Sequence, residues 1–263
     1  MREHGPHSER SAREKEGKIM LKERFFLEAE KLFETIRNTQ TTAIEQAGEI
    51  IADKISNGGN VYLFDTGHIV DSEIYNRVGG LVLMRRFTYD ILVNDHSREK
   101  TCRDYRHEEN MAGVTRYILQ LSNLKSGDVL IIGSVSGKTI NVVDLAIEAR
   151  KMGIFVVSLT SVVFSSQLTS LHASKQLLYE VSDFVLDNCA PYGDAMMDVE
   201  GLPSKIIPAS GLAAAYIMWA LNAQIIECLM KLGIEPGVLR SVNIEGNREY
   251  NQTLEQRYIE KGY

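Results

Sequence analysis

Val129-Leu-Ile-Ile-Gly-Ser-Val-Ser-Gly-Lys-Thr139 is the stretch that decides how this chain folds. An apolar run over 129–132 meets a turn of small residues, and a helical pattern follows over 139–152. A strand that ends in such a turn and opens a helix aims backbone N–H groups at an anion. The loop comes close to the nucleotide-binding pattern G-x-x-x-x-G-K-[ST]. Only Ser134, Val135 and Ser136 separate Gly133 from Gly137, so the loop is too short and nucleotide hydrolysis fails on spacing. The loop offers the hydroxyls of Ser134, Ser136 and Thr139, a flexible Gly137 and the point charge of Lys138. Hydroxyls and helix N-terminal amides together can surround a phosphate dianion without a metal. A small-residue turn with Thr139 as a helix cap is the plainer reading of the same residues.

Outward from this loop the chain alternates between short apolar runs and helical patterns. Strands are predicted over 61–64, 81–83, 91–93, 155–159, 184–186 and 205–207. Helices are predicted over 21–57 (one or two), from His68 towards Gly79-Gly80, and over 108–121, 139–152, 209–232 and 250–260. Continuous apolar strands separated by helices indicate an α/β fold with a parallel sheet covered on both faces. Ligands of such sheets bind beyond the C-terminal ends of the strands. Thr66-Gly-His68, the 134–139 loop and Thr160-Ser161 all fall at such ends.

Composition narrows the function classes. With 263 residues, 44% hydrophobic and 24% charged, the chain is an ordinary globular protein. A net charge of −6 disfavours nucleic acid as the main partner. Cys102, Cys189 and Cys228 are odd in number and widely spaced, which points to reduced thiols in the cytoplasm and not to a disulfide framework. No Cys/His cluster suggests a metal, and no G-x-G-x-x-G turn suggests a dinucleotide. Residues 1–18 are polar and charged, so they read as a disordered tail without a secretory signal, ahead of a single domain over 19–263. The apolar stretch over 211–226 is interrupted by Asn222 and Gln224, which argues for a buried helix and against a membrane span.

The run from Asp128 to Ala146, continuing to Gly153 and Val156-Val-Ser-Leu-Thr-Ser161, resembles the core of the SIS (sugar isomerase) domain, whose loop has the form Ser-x-Ser-Gly-x-Thr/Ser. Matched residue by residue, the resemblance makes Ser134, Ser136 and Thr139 the phosphate-binding positions. Thr66-Gly-His68, Glu73-Ile-Tyr-Asn-Arg-Val-Gly-Gly80, Gly193-Asp-Ala195, and Ser241-Val-Asn243 with Gly246 and Asn251 narrow it to phosphosugar and phosphoheptose isomerase-like proteins. The resemblance implies a three-layer α/β/α sandwich around a central, mostly parallel five-stranded sheet. It also implies a phosphorylated sugar as ligand and a homodimer or higher homo-oligomer with sites near subunit boundaries.

Aldose–ketose isomerisation needs an acid/base group near the first two carbons and a group that polarises the carbonyl. No cofactor enters such a step. Glu73 and His68 are the candidates, with His172 as a second acid/base. Thr66, Gly67, Ser161 and Asp194 are further substrate-binding candidates. Plainer roles stand beside these: a solvated Glu73–Arg77 pair, a capping His172 and a turn-forming Asp194. His107 with Glu108 and Glu109 reads as a helix opening. The alternative to an enzyme is a non-catalytic phosphosugar sensor. That reading is favoured by Asp65 and Ile69, where similar proteins usually carry Gly and Ser.

Overall fold

Alternation within the strands makes the two faces of the sheet. Val61, Leu63, Val129, Ile131, Val157 and Leu159 point to one side, and Phe64, Leu130, Ile132 and Val156 to the other. The structure, a computed structural model, describes residues 19–66, 71–92 and 112–263. In chain order its elements are α1 (Leu21–Ser56), β1 (Val61–Asp65), α2 (Asp71–Ile74), β2 (Met84–Arg86), α3 (Ala112–Leu121), β3 (Val129–Gly133), α4 (Ile140–Lys151), β4 (Phe155–Thr160), α5 (Val162–Ser165), α6 (Leu178–Val181), β5 (Phe184–Asp187), β6 (Ala195–Met197), β7 (Ile206–Pro208), α7 (Ser210–Lys231) and α8 (Asn247–Lys261). Five parallel strands form the main sheet in the order β2-β1-β3-β4-β5. β3 is therefore central, and Gly133 at its end stands beside Asp65 of β1 and Leu159 of β4.

Helices α1 and α7 cover the first face, and α3, α4 and α6 the second, which gives the three-layer α/β/α sandwich. Ile36, Ile51 and Ile55 of α1 are almost fully buried, each worth roughly 1.5–3 kcal/mol of burial. The two long helices meet closely at Gly48, where an added Cβ would collide with Gln224 Cγ. α1 is one helix through its threonine-rich middle. The hydroxyls of Thr35 and Thr39 bond back to the carbonyls of Lys31 and Thr35, each at 2.8 Å, so these β-branched residues do not break it. α7 is long and apolar enough to cross a membrane by length and composition, but Ala213, Ile217, Leu221, Ile225 and Leu229 are fully buried in the core.

Two strand expectations are corrected, and a third strand lies in a separate sheet. Over 81–83 there is only an isolated antiparallel bridge, Leu81 to Val238, because this segment pairs with the chain near Gly237 and Leu239 instead of the sheet. The strand begins at Met84 and contains two arginines. Arg85 stacks on Tyr258 at 3.7 Å and pairs with Glu255 at 2.8 Å, and these contacts make a charged edge strand tenable. Ile91 and Leu92 are exposed and belong to no strand, and Val93 lies outside the described residues. The run over 205–207 becomes β7, which pairs antiparallel with β6 in a separate two-stranded unit. The expected tail over 1–18 also lies outside the described residues.

The α8 packing predicts an alkaline limit. Burial, reinforced by Asp128 and Tyr258 and opposed by Arg85, pushes the Tyr62 phenol from 10.0 up to about 12. The folded state thus holds this proton more tightly than the unfolded chain does. Its contribution is full below the unfolded value of 10.0 and is lost as pH rises towards about 12. Phenolate absorbance recorded with circular dichroism is expected to show a late-ionising tyrosine that titrates together with unfolding, and Tyr62→Phe is expected to remove it.

Candidate functional site

The 134–139 loop leaves the central strand with its carbonyls turned into the protein. Val135 C=O accepts from Thr160 Oγ1 at 3.0 Å and from the Ser161 N–H at 3.1 Å. Ser136 C=O accepts from Ser165 Oγ at 2.7 Å. Gly137 C=O accepts from the Leu178 N–H at 2.8 Å, and Lys138 C=O from the Leu171 N–H at 3.0 Å. In a planar trans peptide the C=O and the following N–H point in opposite directions. Four inward carbonyls therefore send the N–H groups of Ser136, Gly137, Lys138 and Thr139 outward. Those amides, with that of Val135, donate to no group among the described residues.

Gly137 is required at the bend. Its φ is +56°, and a Cβ there would lie 3.0 Å from Leu178 Cβ and 3.3 Å from both Ser165 Oγ and Thr160 Oγ1. The Ser134, Ser136 and Thr139 hydroxyls make no hydrogen bond among the described residues, and Thr139 is the N-cap of α4 by backbone position without a side-chain cap bond. Lys138 has no carboxylate partner among the described residues. These amides, the three hydroxyls and Lys138 thus sit on one short loop that leads into the N-terminus of α4, where the helix dipole also favours negative charge.

Of the other predicted residues, Thr66 is joined to this loop. Its N–H and Oγ1 both donate to Gly133 C=O at 3.3 Å, at the loop's root. Ser161 lies beneath it, but its hydroxyl is engaged: Oγ donates to Ala190 C=O at 2.6 Å and accepts from the Phe164 N–H at 3.0 Å. Asp194 is elsewhere. With φ +67° it accepts from the backbone N–H and the hydroxyl of Ser210, both at 2.8 Å, and so caps α7. Glu73 accepts from Arg77 and from Trp219 Nε1, each at 3.4 Å, on the α7 side of the sheet. Gly67, His68, Ile69, His107, Glu108 and Glu109 lie outside the described residues.

His172 is buried with both ring nitrogens engaged. Nδ1 accepts the Ser174 N–H at 3.0 Å and faces Ser174 Oγ at 2.7 Å. A ring nitrogen that accepts a backbone N–H carries no proton, so the neutral ring donates from Nε2 to Asp144 Oδ1, 3.0 Å away. With Leu171 bonded to Lys138, this turn ties the far side of the loop to the second turn of α4. Nearby, burial and then the Asp144 carboxylate push the Tyr89 phenol upward. Burial likewise raises the Cys189 thiol, which disfavours a reactive thiolate there.

The sequence reading missed Ser165, Asp144 and the amides of Leu171 and Leu178. Thr160-Ser161 at a strand end was the one available signal for this inner shell. Nothing in Val163-Phe-Ser-Ser166 marks Ser165 as buried beneath a loop.

A family model described as the SIS domain matches residues 24–161. A UPF0309 protein of Streptomyces coelicolor is 35% identical over 232 residues, which span 88% of this chain and 92% of that protein. Among solved structures, a phosphoheptose isomerase from Neisseria gonorrhoeae is similar with 16% identity and a TM-score of 0.48, covering 81% of this chain and 100% of that one. The Vibrio vulnificus NanR protein complexed with ManNAc-6P is similar with 14% identity and a TM-score of 0.44, covering 95% of this chain and 72% of that one.

Proposed function

This chain belongs to the SIS domain family, and from that premise we propose that it binds a phosphorylated sugar on the 134–139 loop and interconverts its aldose and ketose forms. The observation that carries the binding half is the row of outward amides, Ser136 to Thr139, set among hydroxyls that have no partner among the described residues. A tetrahedral dianion matches that donor set and supplies acceptors for every group in it. Lys138 adds charge without needing to leave a partner. The sugar extends past Thr66 at the end of β1. Glu73, held by Trp219 and Arg77, moves the proton between the two reacting carbons through an enediol, and His68 polarises the carbonyl. The working unit is a cytoplasmic homodimer or higher homo-oligomer.

A sensor is the second reading, and a specific observation favours it. Both ring nitrogens of His172 are engaged within the chain, which removes one acid/base candidate from a proton-transfer role.

Proton chemistry in D2O separates the two. Wild-type protein mixed with a panel of aldose and ketose phosphates is expected to convert one pair and to place solvent deuterium on the carbon that exchanges. Glu73→Gln is expected to retain binding within about threefold while turnover falls by at least ~100-fold, the scale of a lost general base. Stabilisation by several sugar phosphates with no deuterium incorporated from any of them would select the sensor. Stabilisation by none would remove both readings.

A further inference from the structure

We infer that Thr160 and Ser165 are positioning residues for phosphate binding: their buried hydroxyls hold two loop carbonyls inward and thereby aim the amides of Ser136 and Gly137 at the ligand. The inference rests on the phosphosugar reading of the same loop. Both side chains are fully buried and neither hydroxyl is free to reach a ligand, since Thr160 Oγ1 donates to Val135 C=O at 3.0 Å and Ser165 Oγ to Ser136 C=O at 2.7 Å. Peptide planarity turns each anchored carbonyl into an outward amide on the next residue. Both hydroxyls also press against the position a Gly137 Cβ would occupy, so anchors and glycine form one packed unit. The loop is thus organised before the ligand arrives, and binding does not have to order it.

The two anchors are unequal in a way that separates positioning from mere packing. Val135 C=O keeps a second donor, the Ser161 N–H at 3.1 Å, when Thr160 is removed. Ser136 C=O has Ser165 as its one donor among the described residues. A buried carbonyl left without a donor rotates towards any group that can satisfy it, and the Gly137 N–H rotates with it. Ser165→Ala should therefore damage binding more than Thr160→Val, although both residues are equally buried.

The test uses the full chain with inorganic phosphate and fructose 6-phosphate as probes, and backbone amide spectra of the unliganded variants as a readout that needs no ligand. Ser165→Ala is expected to weaken whichever probe the wild type binds by at least ~10-fold, Thr160→Val by less, and Thr160→Ser to restore wild-type affinity. In the unliganded spectra the Gly137 amide is expected to move in Ser165→Ala while the α7 amides stay in place. Affinity within twofold of wild type for Ser165→Ala, or unmoved loop amides, overturns the inference. Should the wild type bind neither probe, the phosphosugar reading falls for these probes and the spectra alone decide the anchoring. If Ser165→Ala does not fold, the contrast between Thr160→Val and Thr160→Ser in the same two readouts decides it, and identity between those two variants overturns it.

Discussion

Gly137→Ala is expected to cost roughly 2–5 kcal/mol of stability and to abolish the thermal response to sugar phosphates. Two independent terms add at this position. A φ of +56° places an alanine in the left-handed region, at about 1–2 kcal/mol for an L-residue. The new Cβ would also lie 3.0 Å from Leu178 Cβ, an atom fixed directly to its backbone, and 3.3 Å from two buried hydroxyls. Overpacking of a filled site typically costs a further 1–3 kcal/mol or so. For a domain of this size the midpoint should fall by ~10 °C. The strain is relieved most easily by rotating the loop peptides, which would turn outward amides away from the ligand. Urea unfolding measures the first effect, and thermal shift with and without fructose 6-phosphate the second. A variant as stable as wild type that still responds fully would show that the loop does not hold this backbone shape.

His172→Ala is expected to destabilise the fold by about 3 kcal/mol, because a buried hydrogen bond to a carboxylate contributes roughly 1.5–3 kcal/mol and a side-chain cavity adds to the loss. The Ser174 N–H loses its acceptor as well. Ligand affinity should fall with stability, since the 170–174 turn loses its grip on α4 and Leu171 anchors Lys138 less firmly. Proton-transfer chemistry at His172 would produce a different pattern. Turnover would then collapse at unchanged affinity and unchanged unfolding midpoint, and that outcome would contradict the positional role. Chemical denaturation together with a binding isotherm distinguishes the two patterns in one preparation.

The centre of the fold was legible because local signals agreed there. β3, its glycine-bounded loop and α4 follow from an apolar run, small residues and a helical period that sit within a single stretch. Legibility fell where distant partners set the outcome. Met84-Arg-Arg86 does not read as a strand, and it becomes one because Glu255 and Tyr258 of α8 receive Arg85 while Tyr75 receives Arg86. The run over 205–207 was visible as extended chain, but not its antiparallel partner over 195–197 or its separation from the main sheet. The candidate site divides in the same way. Ser134, Ser136, Gly137, Lys138 and Thr139 form one loop in sequence and in space. Which of its groups stay free depends on Thr160, Ser165, Leu171 and Leu178, brought beneath it from β4 to α6. His172 could be noticed as a histidine, but its pairing with Asp144, 28 residues earlier, exists only in the folded chain.

Phosphate resting on the outward amides at the start of α4 would move the chemical shifts of those amides directly. A 15N-labelled sample is titrated with a sugar phosphate that it binds and, separately, with the same sugar lacking phosphate. The Ser136, Gly137, Lys138 and Thr139 amide protons are expected to move downfield with the phosphorylated compound and to stay in place with the other. Binding that shifts amides elsewhere while these four remain unmoved would contradict that placement of the phosphate.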